Sequence, residues 1–152
     1  MQTKNLVKRA ERISRVMHFR QKDKGGRPYI THPLRVMLHL AKDVSVTGYE
    51  QQELAAALLH DVVEDTPMTL RGLKLLGMDQ MTIEAVDALT HREGEVNKAY
   101  WARVKANPVA RAVKLADIYD NTDPKRLALL DEATRIRLLA KYDRAHVALL
   151  GF

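Results

Sequence analysis

Cysteine is absent from this chain of 152 residues, which excludes a disulfide framework and any thiolate metal site. Aromatic residues are scarce, at 5%, and the basic stretches lack the interleaved rings on which single-strand nucleic-acid binders stack bases. That shortage weighs against a nucleic-acid-binding module, although a formal charge of +6 favours an anionic partner of some kind. No run approaches the roughly 18 apolar residues of a membrane span. Residues 1 to 21 alternate charged with apolar side chains, so no export or membrane signal is read there, and a cytoplasmic location is expected. Sustained strand alternation is missing, as is any repeat at periods of about 20 to 50 residues.

What is present is 46% hydrophobic and 29% charged residues. That is enough for one sizeable core in a chain too short for two ordinary domains, so a single all-α domain over residues 1–152 is expected. Leu6, Ala10, Ile13 and Met17 recur at helical spacing and predict an amphipathic helix from about Thr3 to Phe19. Arg20 to Pro28 then brings two glycines, a proline and four basic residues, the pattern of an exposed cationic loop whose backbone can approach a ligand. His32-Pro33 suits a helix start with Thr31 as N-cap. A central helix begins near Gln51. Thr69 caps a short helix to Leu76, and Asp79 or Thr82 starts another through Leu89. Asn97 to Lys105 and a segment opened by Asn107-Pro108 are helical as well. A closing helix over Asp131 to Leu150 is expected to turn Ile136, Leu139, Tyr142 and Leu149 inward, with His146 at the core edge.

The chain is organised around Ala55-Ala-Ala-Leu-Leu-His60-Asp61-Val-Val-Glu64-Asp65-Thr66-Pro67. An apolar helix meets four groups able to bind a metal or move a proton and stops at a proline. If the helix continues, His60 and Glu64 are four apart, as are Asp61 and Asp65, so all lie within about one turn. Three carboxylates that close repel one another and oppose the helix dipole, which a cation or a catalytic task would offset. Asp117 poses a related problem. It lies four after Val113 and eight after Val109, on the buried face of its helix, where an ionised carboxylate needs a cation or strong donors. An ion pair with Lys114 is the alternative. His32, by itself, reads as a cap or a satisfied core histidine.

His60-Asp61 is the signature pair of HD-type metal-dependent phosphohydrolases. The longer string, with Arg27-Pro-Tyr-Ile-Thr-His32-Pro33 before it and Val113-Lys-Leu-Ala-Asp117 after it, resembles the hydrolase domain of the Rel/Spo family of alarmone enzymes. The resemblance implies the HD-domain helical bundle and a metal site of His32, His60, Asp61 and Asp117. Such a nitrogen and oxygen set suits Mn²⁺, Fe²⁺ or Zn²⁺, and the family implies Mn²⁺. Only His91 lies between the His-Asp pair and Asp117, which favours a single metal. Glu64 and Asp65 become the catalytic acids, with the choice of base open. Arg20, Lys24, Arg27 and Asn121 become substrate contacts, Lys22 and Arg35 add to the cations near His32, and Arg92 and Lys98 are weaker phosphate candidates. The implied activity is hydrolysis of the 3′-pyrophosphate of a (p)ppGpp- or (p)ppApp-type alarmone in the stringent response, as in the small stand-alone hydrolases that lack a synthetase domain. The alternative is an HD phosphohydrolase acting on another nucleotide or phosphorylated metabolite. Two segments depart from the pattern. Asp23 stands where the loop commonly carries a cation, and Ile118-Tyr119-Asp120-Asn121 replaces Arg-Leu-His-Asn, leaving base preference and phosphate number open.

Overall fold

A computed structural model of the chain describes residues 3–45 and 47–150, apart from the side chains of residues 3 and 4. Its helices are α1 (Thr3–Met17), α2 (Thr31–Lys42), α3 (Glu50–Leu59), α4 (Val62–Asp65), α5 (Leu70–Leu75), α6 (Gln80–Leu89), α7 (Asn97–Ala106), α8 (Pro108–Asn121), α9 (Pro124–Leu127) and α10 (Glu132–Leu150). Among the described residues the only β pairing is an isolated bridge between Lys22 and Pro28. None of the described helices is long and apolar enough to cross a membrane.

The reason α3 is central can be read from its residues. Ala55, Ala56, Ala57, Leu58 and Leu59 are all fully buried, so the second half of the helix is apolar on every side and must be surrounded. It packs against α1, α2, α6 and α8, and the alanines let those neighbours approach closely. Burying Leu58 and Leu59 contributes on the order of 1.5–3 kcal/mol each. This element ends at the site it supports: α3 stops at Leu59, and His60 and Asp61 occupy the break before α4. The uninterrupted helix of the spacing argument is therefore corrected. The break is slight, because Asp61 keeps φ −107° and ψ −1° and its carbonyl still accepts from the Asp65 amide at 2.9 Å.

The expected caps on α5, α6 and α8 are present. Thr69 accepts from the Gly72 amide at 2.9 Å, Asp79 from Thr82 at 2.9 Å and Asn107 from Ala110 at 3.0 Å. Thr31 is a correction, since it is already inside α2 and its hydroxyl donates to the Pro28 carbonyl at 2.8 Å. The cationic loop is also less open than its composition suggests. Tyr29 N donates to Gln21 O and Asp23 N to Arg27 O, both at 2.8 Å, and Gly26 takes φ +81° at its tip, which glycine adopts without strain.

The closing helix differs most. Its buried residues are Ala145 and Leu149, with Tyr142 partly buried, whereas Ile136 is 60% exposed and His146 is exposed. The inward stripe runs through Leu138, Tyr142, Ala145 and Leu149 rather than through Ile136 and His146. The two stripes share Tyr142 and Leu149, and the first half of α10 faces a cavity instead of the core, so apolar periodicity could not choose between them.

Candidate functional site

Three helices deliver three donors to one point. His32 comes from the first turn of α2, His60 from the end of α3, and Asp117 from the buried face of α8. One ligand atom from each lies within 4.8 Å of the others, and all three residues are buried. His32 Nε2 is 2.9 Å from Asp117 Oδ1, and His60 Nε2 is 3.6 Å from the same oxygen and 3.0 Å from Asp61 Oδ2. Separations near 3 Å are those of neighbouring ligands around an ion with bonds of about 2.0–2.2 Å.

The far side of each ring is fixed. His60 Nδ1 donates to the Ala57 carbonyl at 2.6 Å, and His32 Nδ1 faces Asp120 Oδ2 at 2.7 Å. A histidine whose Nδ1 is occupied in this way presents the Nε2 lone pair to a metal. His60 Nε2 is buried and makes no hydrogen bond with the described residues despite the nearby Asp61 oxygen, which a cation would resolve. Asp117 uses its oxygens separately: Oδ2 receives Lys114 Nζ at 2.9 Å, while Oδ1 faces the histidines and receives Asn121 Nδ2 at 2.9 Å. The pairing with Lys114 thus coexists with the donor role. Without an ion, burial favours the neutral forms, yet hydrogen bonds to Asp117 and Asp120 hold His32 above the ordinary histidine range, and the charges of Asp61 and Asp117 do the same for His60. Asp61 and Asp117 are held low by the cations around them. The donor set can hold a divalent ion.

Glu64 and Asp65 diverge. Glu64 Oε1 accepts from both the backbone amide and Nδ1 of His91, each at 2.8 Å, and these bonds outweigh burial to lower its pKa. Among the described residues the Asp65 carboxylate has only a long contact from Gln21 Nε2 at 3.5 Å, and burial and the Asp61 charge raise its pKa. Above the donors opens a cavity of about 350 Å³, lined by Asp61, Glu64, His91 and Asn121 and by the cations Lys22, Lys24, Arg27, Lys114, Arg126 and Lys141.

No protein-family model matches the chain. In sequence it is 36% identical over 128 residues to a GTP pyrophosphokinase of Streptomyces coelicolor, covering 78% of this chain and 14% of that one. It is 43% identical over 68 residues to a guanosine-3′,5′-bis(diphosphate) 3′-pyrophosphohydrolase of Aquifex aeolicus, covering 45% of this chain and 9% of the other. The human protein of that same name is 36% identical over 112 residues, covering 70% of this chain and 62% of the relative. The chain thus spans less than two thirds of each of these relatives. Among solved structures it is similar to a metazoan orthologue of SpoT described as hydrolysing ppGpp, with TM-score 0.74, 23% identity, and coverage of 96% of this chain and 86% of that one. The fold is the HD-domain helical bundle. The resemblance to the Rel/Spo hydrolase domain therefore holds in both sequence and architecture.

Within the HD bundle the sequence-derived candidates separate. Lys24, Arg27 and Asn121 line the cavity with Lys22. Arg20 does not. It takes φ +69° and lays its guanidinium 5.3 Å from the centroid of the Phe19 ring. Arg35 is turned the other way, its Nε bonded to Asp120 Oδ1 at 2.9 Å, and Arg92 pairs with Asp87 at 3.3 Å. Asn121 is engaged with Asp117 rather than left free. Two further residues belong to the site: Tyr29, whose hydroxyl donates to Asp61 Oδ2, and Asp120 behind His32. Each had a signal: Tyr29 lies inside the Pro-Tyr-Ile-Thr-His string, and Asp120 is three residues from Asp117 on one helical face. Arg126 and Lys141 had none, because only tertiary packing brings α9 and α10 to the cavity.

Proposed function

We propose that this HD-domain protein is a hydrolase dependent on one divalent ion, Mn²⁺, that removes the 3′-pyrophosphate of a (p)ppGpp- or (p)ppApp-type alarmone in the cytoplasm. The carrying observation is the buried His32, His60 and Asp117 trio, of which His32 and Asp117 line a cavity of about 350 Å³ whose walls hold six cations. A donor set of that kind suits phosphate-ester hydrolysis, and a nucleotide with phosphates at both ends needs cations away from the metal. The relatives named for the same reaction support this reading.

His32, His60, Asp61 and Asp117 are assigned as the ligands, Asp61 being oriented by the Tyr29 hydroxyl. The bound ion supplies Lewis acidity toward a phosphoryl oxygen and toward water. Glu64, which faces the cavity and is held ionised by His91, takes the water proton, work usually worth about 10²- to 10⁴-fold. Water adds to the phosphorus bonded to O3′, the O3′–P bond breaks, and a proton is delivered to O3′. The products are the nucleoside 5′-di- or triphosphate and pyrophosphate. Asp65 is the second candidate acid; it does not line the cavity, so the water proton is assigned to Glu64. Lys24, Arg27 and Asn121 hold base, sugar and distal phosphates.

The test is incubation with Mn²⁺ and ppGpp, pppGpp, ppApp or ordinary nucleotides, using wild type and the Glu64→Ala/Asp65→Ala double variant, with product identification. Pyrophosphate released from the 3′ position by wild type alone is the expected result. Inertness toward every alarmone, with rapid turnover of a simple nucleotide monophosphate, would favour the alternative of an HD phosphohydrolase for another phosphorylated metabolite.

A further inference from the structure

Arg126, in the short helix α9, is shared between two sides of the site. Its Nη1 donates to Asp120 Oδ2 at 2.6 Å and reaches Asn121 Oδ1 at 3.4 Å, while its Nη2 lies 3.8 Å from Asp23 Oδ2. On the first side, Asp120 Oδ2 is the same atom that faces His32 Nδ1, and Asn121 holds Asp117. On the second, Asp23 Oδ1 accepts from the amides of Gly25 and Arg27, both at 2.9 Å. That carboxylate therefore shapes the loop that carries Lys24 and Arg27 into the cavity. A planar guanidinium can address two carboxylates at once, which a single ammonium cannot do with the same geometry. Asp23 and Asp120 are also the two acids at which the sequence departs from the pattern it resembles, and they meet on this one side chain.

We propose that Arg126 is a positioning residue that couples the cationic loop to the support of the metal donors, so that Lys24 and Arg27 are held in register with the reacting phosphate. The kinetic part of this proposal rests on the alarmone-hydrolase reading; the coupling itself does not. Removing Arg126 does not strand Asp120, which keeps Arg35 Nε at 2.9 Å on its other oxygen. Arg126→Ala is thus expected to fold. Asp23→Asn is the matching probe, since an amide oxygen still accepts from Gly25 and Arg27 while the charge facing Arg126 is gone.

The experiment is a double-mutant cycle of Arg126→Ala and Asp23→Asn, with Arg126→Lys alongside, read by amide exchange, Mn²⁺ affinity and steady-state kinetics. In Arg126→Ala, exchange at Gly25 and Arg27 should accelerate about fivefold while amides of α3 and α6 stay protected, as expected for loss of one ion pair in a local opening. KM should rise about tenfold with kcat changed less than about threefold, because a positioning loop binds ground and transition states alike. The double variant should be no worse than about the larger single effect, the sign of two residues acting through one interaction. Arg126→Lys should restore only part of the KM. Exchange at Gly25 and Arg27 unchanged by Arg126→Ala, or single effects on KM that multiply in the double variant, would overturn the proposal. If wild type binds Mn²⁺ yet cleaves no alarmone, the substrate reading fails, and the exchange cycle still decides the coupling.

Discussion

His60 illustrates how one backbone carbonyl can orient a histidine so that it could bind a metal. Its Nδ1 proton is committed to Ala57 O at 2.6 Å, its Nε2 is buried and makes no hydrogen bond with the described residues, and two carboxylate oxygens lie 3.0 and 3.6 Å away. His60→Ala is therefore expected to abolish Mn²⁺ binding in calorimetric titration and activity with it; an unaltered dissociation constant would refute the assignment. Tyr29 acts one step further out. Tyr29→Phe removes the donor to Asp61, and loss of an outer partner of this kind typically costs about 10- to 100-fold in metal affinity. The cations can be ranked by where they point. Lys24→Ala should raise KM with little change in kcat, whereas Arg20→Ala, whose guanidinium lies over Phe19 outside the cavity, should leave both constants near wild type. Equal effects from the two substitutions would mean that the cavity does not bind the phosphates.

Individual helices carry their own tests. In α3 the alanines are as important as the leucines, because α1, α2, α6 and α8 all close on it. Ala56→Leu forces extra volume into that junction and should cost about 1–3 kcal/mol in denaturant unfolding. Helix α6 starts on Asp79, whose carboxylate caps Thr82 N and also receives Gln52 Nε2, both at 2.9 Å. Burial opposes ionisation there, but these hydrogen bonds hold the carboxyl below the usual range. A depressed folded pKa means that the stabilisation is present above the unfolded value, near pH 4, and is lost as pH falls through the folded one. Asp79→Asn retains an acceptor without that titration. Its melting temperature should fall less than that of wild type between pH 7 and pH 3, and an identical fall would exclude Asp79 as a contributor.

For the molecule as a whole, the proposed metal ligands link binding to folding. They arrive from α2, α3 and α8, elements separated in sequence and brought together only in the folded chain. An ion that binds this arrangement and not the unfolded chain stabilises it by about 2.7 kcal/mol at a concentration 100 times its dissociation constant. Saturating Mn²⁺ should therefore raise the melting temperature, a chelator should reverse the gain, and His60→Ala should show neither effect. A wild-type melting temperature indifferent to both additions would count against a metal centre spanning three helices.

Helical periodicity, caps and the end of the apolar run were legible in the chain itself because they depend on neighbours within about one turn. Ala55 to Leu59 had to be a buried helix, Asn107 and one of Asp79 and Thr82 had to start helices, and Asp117 had to point its carboxylate into an apolar face. Local spacing could not show that the helix breaks at His60-Asp61, that α10 turns Leu138 toward the cavity and Ile136 to solvent, or that Arg20 and Arg35 face away from it while Arg126 and Lys141 line it. Those outcomes depend on contacts between residues up to about a hundred positions apart. They were decided by how the helices pack, since a long charged side chain follows whichever opposite charge and solvent the tertiary structure leaves within its reach.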